Sequence, residues 1–154
     1  MATGDVKWFA QALHDLGAKI HNLGADDLRL GIITSAATPT PTTAAPHWGG
    51  TGTTNLATSQ VATGGTEYTG PIALSGESWS VVSGVPTLRA DVVSLAQDAA
   101  GFTNGRWGII YNNTDANKRA IAFVDLGANR SLVDGPLAID WNGATNDILT
   151  LTPV

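Results

Sequence analysis

Residues 105–127, GRWGIIYNNTDANKRAIAFVDLG, give the strongest indication of the fold class of this chain. It contains two apolar runs, 105–111 and 118–126, with the polar turn sequence NNTD between them. The C-terminal stretch 135–151, GPLAIDWNGATNDILTL, has the same organisation. Short apolar runs separated by turn residues are typical of paired antiparallel strands. We therefore predict a mainly β fold, an antiparallel β-sandwich or jelly roll.

Further strands are predicted outside these two stretches. In residues 28–34, Leu28, Leu30 and Ile32 alternate with charged or small residues, and this period of two marks a strand with one buried face. The remaining predicted strands are 72–74, 79–82, 87–94, 136–141 and 148–152.

Turn residues and strand alternation also predict hairpins and a core. Gly76-Glu77 and Ser83-Gly84 are predicted hairpin tips. The inward positions of the strands predict a core of Leu30, Ile32, Leu88, Val92, Ile109, Tyr111, Ile121, Phe123, Ile139 and Leu149. The aromatic residues predicted to lie in the core or between sheets are Trp79, Trp107 and Trp141.

The N-terminal segment predicts a helix over residues 5–16. Asp5 or Thr3 would cap it, and Gly17 weakens its continuation. One face of this helix would carry Phe9, Leu13, Leu16 and Ile20. Two interpretations remain open: a lid over one end of the sandwich, and an arm that docks on a neighbouring subunit.

Residues 35–70 differ from the rest of the chain in composition. The sequence SAATPTPTTAAPHWGGTGTTNLATSQVATGGTEYTG predicts a long irregular loop, which is either a contact arm or a mobile surface segment. The Thr-Pro units of 38–41 favour an extended path along another chain. Candidate partner-contact residues in this loop and near the N-terminus are Trp8, Trp48, Tyr68, Pro39, Pro41 and Pro46.

Length and composition limit the possible classes of protein. The chain has 154 residues, which fits one domain spanning 1–154. It has no cysteine, so disulfides and thiolate metal sites are excluded. Its formal net charge is −5 with only eight Lys and Arg, which argues against a nucleic-acid partner. Charged residues make up 14% of the chain, a composition that suits a surface buried against neighbouring proteins.

Targeting signals are not predicted. The start MATGDVKWFAQAL lacks the charged leader and apolar run of a signal peptide, and no apolar stretch reaches the length of a membrane span. We expect synthesis in the cytoplasm and no membrane partner.

The motifs that carry chemistry are incomplete. Residues 76–80, GESWS, lack the final glycine of a nucleophile elbow, and no phosphate-binding loop occurs. His14 and His21 are seven residues apart, but no third ligand has a matching spacing. Asp26 and Asp27 are interpreted as a solvated turn. We therefore expect a protein that is not an enzyme and has no catalytic residue, no cofactor and no metal.

Several motifs follow one another in a fixed order along the chain. They are the Arg-aromatic-apolar-Tyr run of 106–111, the apolar strand 120–127, the apolar-x-Ile-x-Trp strand 137–141, and, near the start, Lys7-Trp8 with acids before 28–30. In this order they resemble a family of small virion structural proteins of tailed bacteriophages. The resemblance covers residues 5–35 and 100–152.

This resemblance implies a role outside catalysis. The expected function is decoration and cementing of the capsid exterior, with the major capsid protein as partner and self-association as a dimer or trimer. A tail, collar or adaptor component is one alternative. A carbohydrate-binding module of an adhesin is the other, since exposed Trp and Tyr side chains on a β-sandwich also serve as sugar platforms.

Overall fold

The computed structural model describes residues 6–141 and 145–152, and the chain is mainly β within them. In chain order the elements are β1 (Val6–Trp8), α1 (Ala10–Gly17), β2 (Leu28–Ile33), β3 (Pro46–His47), β4 (Thr54–Asn55), a 3-10 helix (Leu56–Ser59), β5 (Ile72–Ala73), β6 (Ser78–Val82), β7 (Val85–Arg89), β8 (Val93–Leu95), β9 (Gly105–Asn112), β10 (Ala120–Arg130), β11 (Leu137–Ile139) and β12 (Asp147–Thr150). The predicted mainly β, antiparallel fold class is confirmed. The jelly-roll arrangement and the single-domain boundary stay predictions.

The largest sheet has five strands in the order β1-β10-β9-β2-β5, all antiparallel. Phe123 of β10 lies opposite Ile109 of β9, which lies opposite Gly31 of β2. Lys7 of β1 lies opposite Phe123. Because directly opposite residues of antiparallel strands project to the same side, these positions define one face of the sheet, called here the Phe123 face.

Smaller sheets complete the fold: β12-β7-β6, β11-β8 and the parallel pair β3-β4. The β6-β7 hairpin has its tip at Ser83-Gly84, with φ values of 50° and 84°, as a type I′ turn requires. This predicted hairpin is confirmed. The one predicted at Gly76-Glu77 is wrong, because β5 pairs with β2 and β6 pairs with β7.

Nine of the ten residues predicted for the core are buried, and Val92 is the exception, with 38% of its surface exposed. The predicted strand 87–94 is broken after β7, where the Asp91 N–H donates to the Ser75 carbonyl oxygen (2.8 Å). Strand β8 then starts with a new partner, β11, and Val93 takes the inward position. Of the three tryptophans predicted for the core or the space between sheets, Trp141 is buried, whereas Trp79 and Trp107 are half-buried.

The N-terminal helix is shorter than predicted and starts later, at Ala10. The preceding residues pair with β10 as an edge strand, and the Phe9 N–H donates to the Ile121 carbonyl oxygen (3.0 Å). The predicted caps Thr3 and Asp5 lie outside the described residues. Of the predicted apolar face, Phe9 is buried and Leu16 packs against the core, but Leu13 is 41% exposed. The buried side chains here are Phe9, Ala12 and Asp15.

Residues 35–70 form the predicted long and largely irregular loop, but this loop is folded onto the large sheet. The segment contains β3, β4 and the 3-10 helix, and the Val61 N–H donates to the Ile32 carbonyl oxygen (3.1 Å). The Trp48 ring stacks on Tyr111 with 5.4 Å between ring centres. The segment therefore covers part of the Phe123 face. Its buried apolar side chains include Trp48, Leu56, Val61 and Tyr68.

Candidate functional site

A groove on the Phe123 face is the first candidate site. It encloses about 340 Å³ and is lined by Lys7, Pro39, Thr40, Pro41, Trp107, Phe123 and Asp125. We call it the Pro39–Trp107 groove. Its lining combines aromatic rings, prolines and charges of both signs.

Strand register brings the sheet residues of this groove together. Trp107 lies opposite Asp125, and Lys7 lies opposite Phe123. Phe123 and Asp125 are two residues apart on β10, so all four side chains project from one face. The Trp107 and Phe123 rings meet edge to face, with 6.2 Å between their centres.

Hydrogen bonds hold the proline side of the groove in place. The Pro41 carbonyl oxygen accepts a hydrogen bond from the N–H of Ala10, the first residue of α1 (2.9 Å). In the adjoining turn, the Thr43 N–H donates to the Thr40 carbonyl oxygen (3.0 Å), and the Thr40 N–H donates to Thr43 Oγ1 (2.9 Å). Pro39 is buried and Pro41 is exposed. The groove is therefore already formed in the free chain.

The charge of the groove is set by Lys7. Asp125 is neutralised by Arg106, whose Nη1 lies 2.7 Å from Oδ1 and whose Nη2 donates to Oδ2 (3.1 Å). The Arg106 guanidinium also lies 5.1 Å from the centre of the Trp107 ring. The Lys7 side chain is exposed. With the Arg106–Asp125 pair compensated, the groove presents a net positive charge to a ligand.

A cavity of about 360 Å³ beside α1 is the second candidate site, called here the Asp15 cavity. Asp15 is 2% exposed; its Oδ1 accepts a hydrogen bond from Gln11 Nε2 (2.9 Å), and its Oδ2 lies 3.7 Å from Arg119 Nε. A buried carboxylate needs such compensation, because desolvation of an unpaired charge is costly. The cavity is lined by Gln11, His14, Asp15, Ile20, Ala45, Pro46, Thr51, Gly52 and Arg119.

His21 contacts this carboxylate from the interior, with its Nε2 3.9 Å from Asp15 Oδ2. The Asn112 Oδ1 accepts hydrogen bonds from the N–H groups of Thr114 (2.9 Å) and Asp115 (3.1 Å), so the Asn112 Nδ2 faces His21 Nδ1 at 3.1 Å as a donor. His21 Nδ1 therefore accepts, and the ring proton lies on Nε2. Burial lowers the pKa of His21, which favours this neutral form.

The candidate partner-contact residues lie in different parts of the structure. Pro39 and Pro41 line the Pro39–Trp107 groove. Pro46 is buried in β3 and lines the Asp15 cavity. Trp8 is half-buried in β1, and its Nε1 donates to the Thr150 carbonyl oxygen (3.2 Å). The six predicted residues thus do not form one continuous surface.

Trp48 and Tyr68, two of the candidate partner-contact residues, are buried, and this corrects the prediction for both. Trp48 is 6% exposed and Tyr68 is 1% exposed. The Tyr68 hydroxyl accepts a hydrogen bond from the Ile32 N–H (3.0 Å), and its ring meets Phe102 edge to face. Large rings gain more free energy by covering the sheet than by facing water, which places both in the core.

Sequence reasoning missed Lys7 and Asp125 as site residues and predicted Trp107 as a core or inter-sheet residue. A usable signal exists in the stretch 105–127. Pairing its two apolar runs symmetrically about Ala116 places Trp107 opposite Asp125. The position of Lys7 carries no comparable local signal, because β1 joins the sheet through a partner that is distant in sequence.

Two other features, a metal site and a membrane-spanning helix, were sought among the described residues. Within 6–141 and 145–152, no group of three or more His, Asp or Glu side chains is placed to hold a metal ion. In the same part of the chain, no helix is long and apolar enough to cross a membrane.

Comparison with protein-family models, with curated proteins and with solved structures finds no match to this chain. A function therefore has to be proposed from its own residues.

Proposed function

We propose that this protein is a non-enzymatic structural protein of a tailed-phage virion. It is made in the host cytoplasm, binds the capsid exterior and stabilises the capsid through contacts with the major capsid protein. Two things support this proposal: the ordered motifs of 5–35 and 100–152, and the preformed Pro39–Trp107 groove. The groove is the structural observation that carries the proposal.

The groove suits an extended peptide segment of a partner. Pro41 presents an exposed apolar ring, and the half-buried Trp107 ring offers further apolar contact. Pro39 and Phe123 line the groove as buried side chains. Aromatic residues dominate the binding energy of protein interfaces. Because hydrogen bonds already fix the proline side, little conformational entropy is lost on docking. Lys7 favours a segment that carries a carboxylate.

A sugar is a weaker candidate ligand for the same groove. Sugar binding relies on an open aromatic face, but the Arg106 guanidinium stands over the Trp107 ring at 5.1 Å and Phe123 contacts the ring by its edge. The carbohydrate-binding module is therefore the second alternative. A tail, collar or adaptor role would use the same groove on a different virion protein.

The test is retention on purified phage heads. Lys7→Glu reverses the charge of the groove at an exposed position, and Lys19→Glu is the matched control, since Lys19 is exposed and does not line the groove. We expect Lys7→Glu to weaken head binding by about tenfold, or about 1.4 kcal/mol, and Lys19→Glu to leave it unchanged.

Three outcomes would contradict the proposal. Equal head occupancy for wild type and Lys7→Glu would remove the groove from the interface. Co-purification with tails and not with heads would favour the tail, collar or adaptor role. Saturable binding of the isolated protein to a glycan, abolished by a groove variant, would favour the carbohydrate-binding module.

A further inference from the structure

Strand β6 (Ser78–Val82) forms an open edge of the three-stranded sheet. It pairs with β7 along its whole length, and no other strand of the described residues pairs with its second side. Edge strands normally carry charges, prolines or bulges that prevent pairing with another chain. The sequence SWSVV has none of these, and its register with β7 is unbroken.

Val81 is the clearest sign that this edge is incomplete. It is 69% exposed, more than Leu13 at 41% or Val92 at 38%. The type I′ turn at Ser83-Gly84 fixes β6 against β7, so the edge is presented as a rigid strand.

Pro86 identifies which backbone groups point outward. Pro86 lies opposite Val81 and has no N–H, so Val81–Pro86 is a pair without hydrogen bonds between its members. The Pro86 carbonyl oxygen accepts instead from the Leu151 N–H on the other side of β7 (2.9 Å). Pair types alternate along an antiparallel ladder, so Trp79–Leu88 is of the same type. The N–H and C=O groups of Trp79 and Val81 therefore face the open edge.

We propose that β6 pairs with β6 of a second copy of this chain, antiparallel and about a two-fold axis at Ser80. This register places Trp79 opposite Val81 of the second copy, and Ser80 opposite Ser80. It satisfies all the outward N–H and C=O groups of both strands, because Trp79 and Val81 are the residues that carry them. It also forms two symmetric aromatic–β-branched pairs, and such pairs stabilise sheets.

The occupant is a second copy because the edge is self-complementary. A two-fold interface uses the same patch on both chains, and here one strand supplies both the aromatic and the aliphatic member of each pair. No residue of β6 is charged, so the pairing brings no like charges together. The inference does not depend on the capsid assignment. If both are true, the dimer presents two Pro39–Trp107 grooves and gains avidity on a repetitive surface.

Light scattering after size-exclusion chromatography tests the dimer. Wild type should have about twice the chain mass of 15.8 kDa. Ser80→Glu should be monomeric, because it places two carboxylates opposite each other at the axis. Ser94→Glu is the matched control: Ser94 is exposed on β8, outside this edge, and the variant should remain dimeric.

Engineered cysteines test the register. The chain has no cysteine, so Ser80→Cys introduces a single thiol. Opposite residues of a pair without hydrogen bonds have Cα atoms about 4.5 Å apart, within the range that a disulfide spans. Ser80→Cys should form a covalent dimer on mild oxidation, and Ser94→Cys should not.

A monomeric wild type overturns the proposal, even if β6 is then found to pair with a strand of a different protein. A Ser80→Glu variant that is folded by circular dichroism and still dimeric overturns it too. If Ser80→Glu does not fold, the cysteine pair decides: equal crosslinking of Ser80→Cys and Ser94→Cys rejects this interface.

Discussion

The ring of Trp48 occupies the space that a β-carbon on residue 31 would need, so the packing of Trp48 requires glycine at position 31. Gly31 lies in the middle of β2, opposite Ile109, at a position where a strand normally carries a side chain. The missing side chain leaves room for the far end of the indole, whose ring stacks on Tyr111. Through this contact the Thr/Pro/Gly-rich segment is attached to the β-structure.

Gly31→Ala should therefore destabilise the fold. The added methyl group overlaps the Trp48 ring, and overpacking of a well-packed core costs about 1–3 kcal/mol. The measurement is the free energy of unfolding in urea. Gly17→Ala is the control: a methyl group at the end of α1 meets no neighbouring atom, so this change should be neutral or stabilising by up to about 1 kcal/mol.

A double-mutant cycle makes this prediction specific. Trp48→Phe shortens the ring that the added methyl group would meet, so Gly31→Ala and Trp48→Phe together should cost less than the sum of their separate costs. Strictly additive costs would mean that the destabilisation by Gly31→Ala does not come from a clash with Trp48.

Truncation of Ile109 should be far more damaging than truncation of Val92. Ile109 is fully buried, and Ile109→Ala should lower the free energy of unfolding by about 2–5 kcal/mol through lost burial and a cavity. Val92 is 38% exposed, and Val92→Ala should change it by no more than about 0.5 kcal/mol. Similar costs for the two variants, measured by denaturant unfolding, would show that β7 and β8 have the continuous alternation predicted from sequence.

Both tyrosines should remain protonated in the folded protein well into alkaline pH. Burial raises the pKa of Tyr111 to about 12 and raises the pKa of Tyr68 above its ordinary value. Since unfolded tyrosine ionises near pH 10, these groups stabilise the fold below that pH, and the stability is lost as pH rises from there toward the folded pKa. Near-ultraviolet absorbance should show tyrosinate only as the chain unfolds. A folded protein with half its tyrosinate signal near pH 10 would contradict this.

His21 should make the fold less stable in mild acid. Burial lowers its pKa against the opposing effect of the carboxylates of Asp15, Asp115 and Asp26, and Arg119 lowers it further. The unfolded chain then binds the proton more readily, so stability falls as pH drops through about 6.5, the unfolded value. Protonation at Nδ1 also removes the acceptor for the Asn112 amide.

The free energy of unfolding at about pH 7.5 and about pH 5.5 measures this effect. His21→Asn should reduce the difference between the two values. An NMR titration that places the pKa of His21 above 6.5 would reject the explanation.

The structure also changes how the partner interface can be tested. Trp48→Ala, or a deletion of 38–52, removes a ring that packs on the sheet, so either change should destabilise the isolated chain. Loss of a large buried aromatic side chain costs about 3–5 kcal/mol. Weak retention of such a variant on heads would therefore report unfolding as well as a lost contact. Lys7→Glu avoids this problem.

Elements whose partners are close along the chain can be predicted from the sequence alone. The β9-β10 and β6-β7 hairpins follow from apolar runs on both sides of polar turns, because alternation and turn chemistry are local properties. Nine of the ten predicted core residues follow from the same alternation. The tenth, Val92, is not buried. The predicted strand breaks at the hydrogen bond from the Asp91 N–H to the Ser75 carbonyl oxygen, and the alternation of inward and outward side chains shifts there by one residue.

The long-range arrangement of the strands and the candidate site depend on contacts between residues that are distant in the chain. Nothing local in Val6–Trp8 shows that these residues join β10 and bring Lys7 beside Phe123. The composition of 35–70 resembles that of an exposed loop, but Trp48 and Tyr68 are buried against β2. Gly31 leaves space for the Trp48 ring, and the Ile32 N–H donates a hydrogen bond to the Tyr68 hydroxyl. Burial depends on which surfaces meet, and residues distant in the chain supply those surfaces.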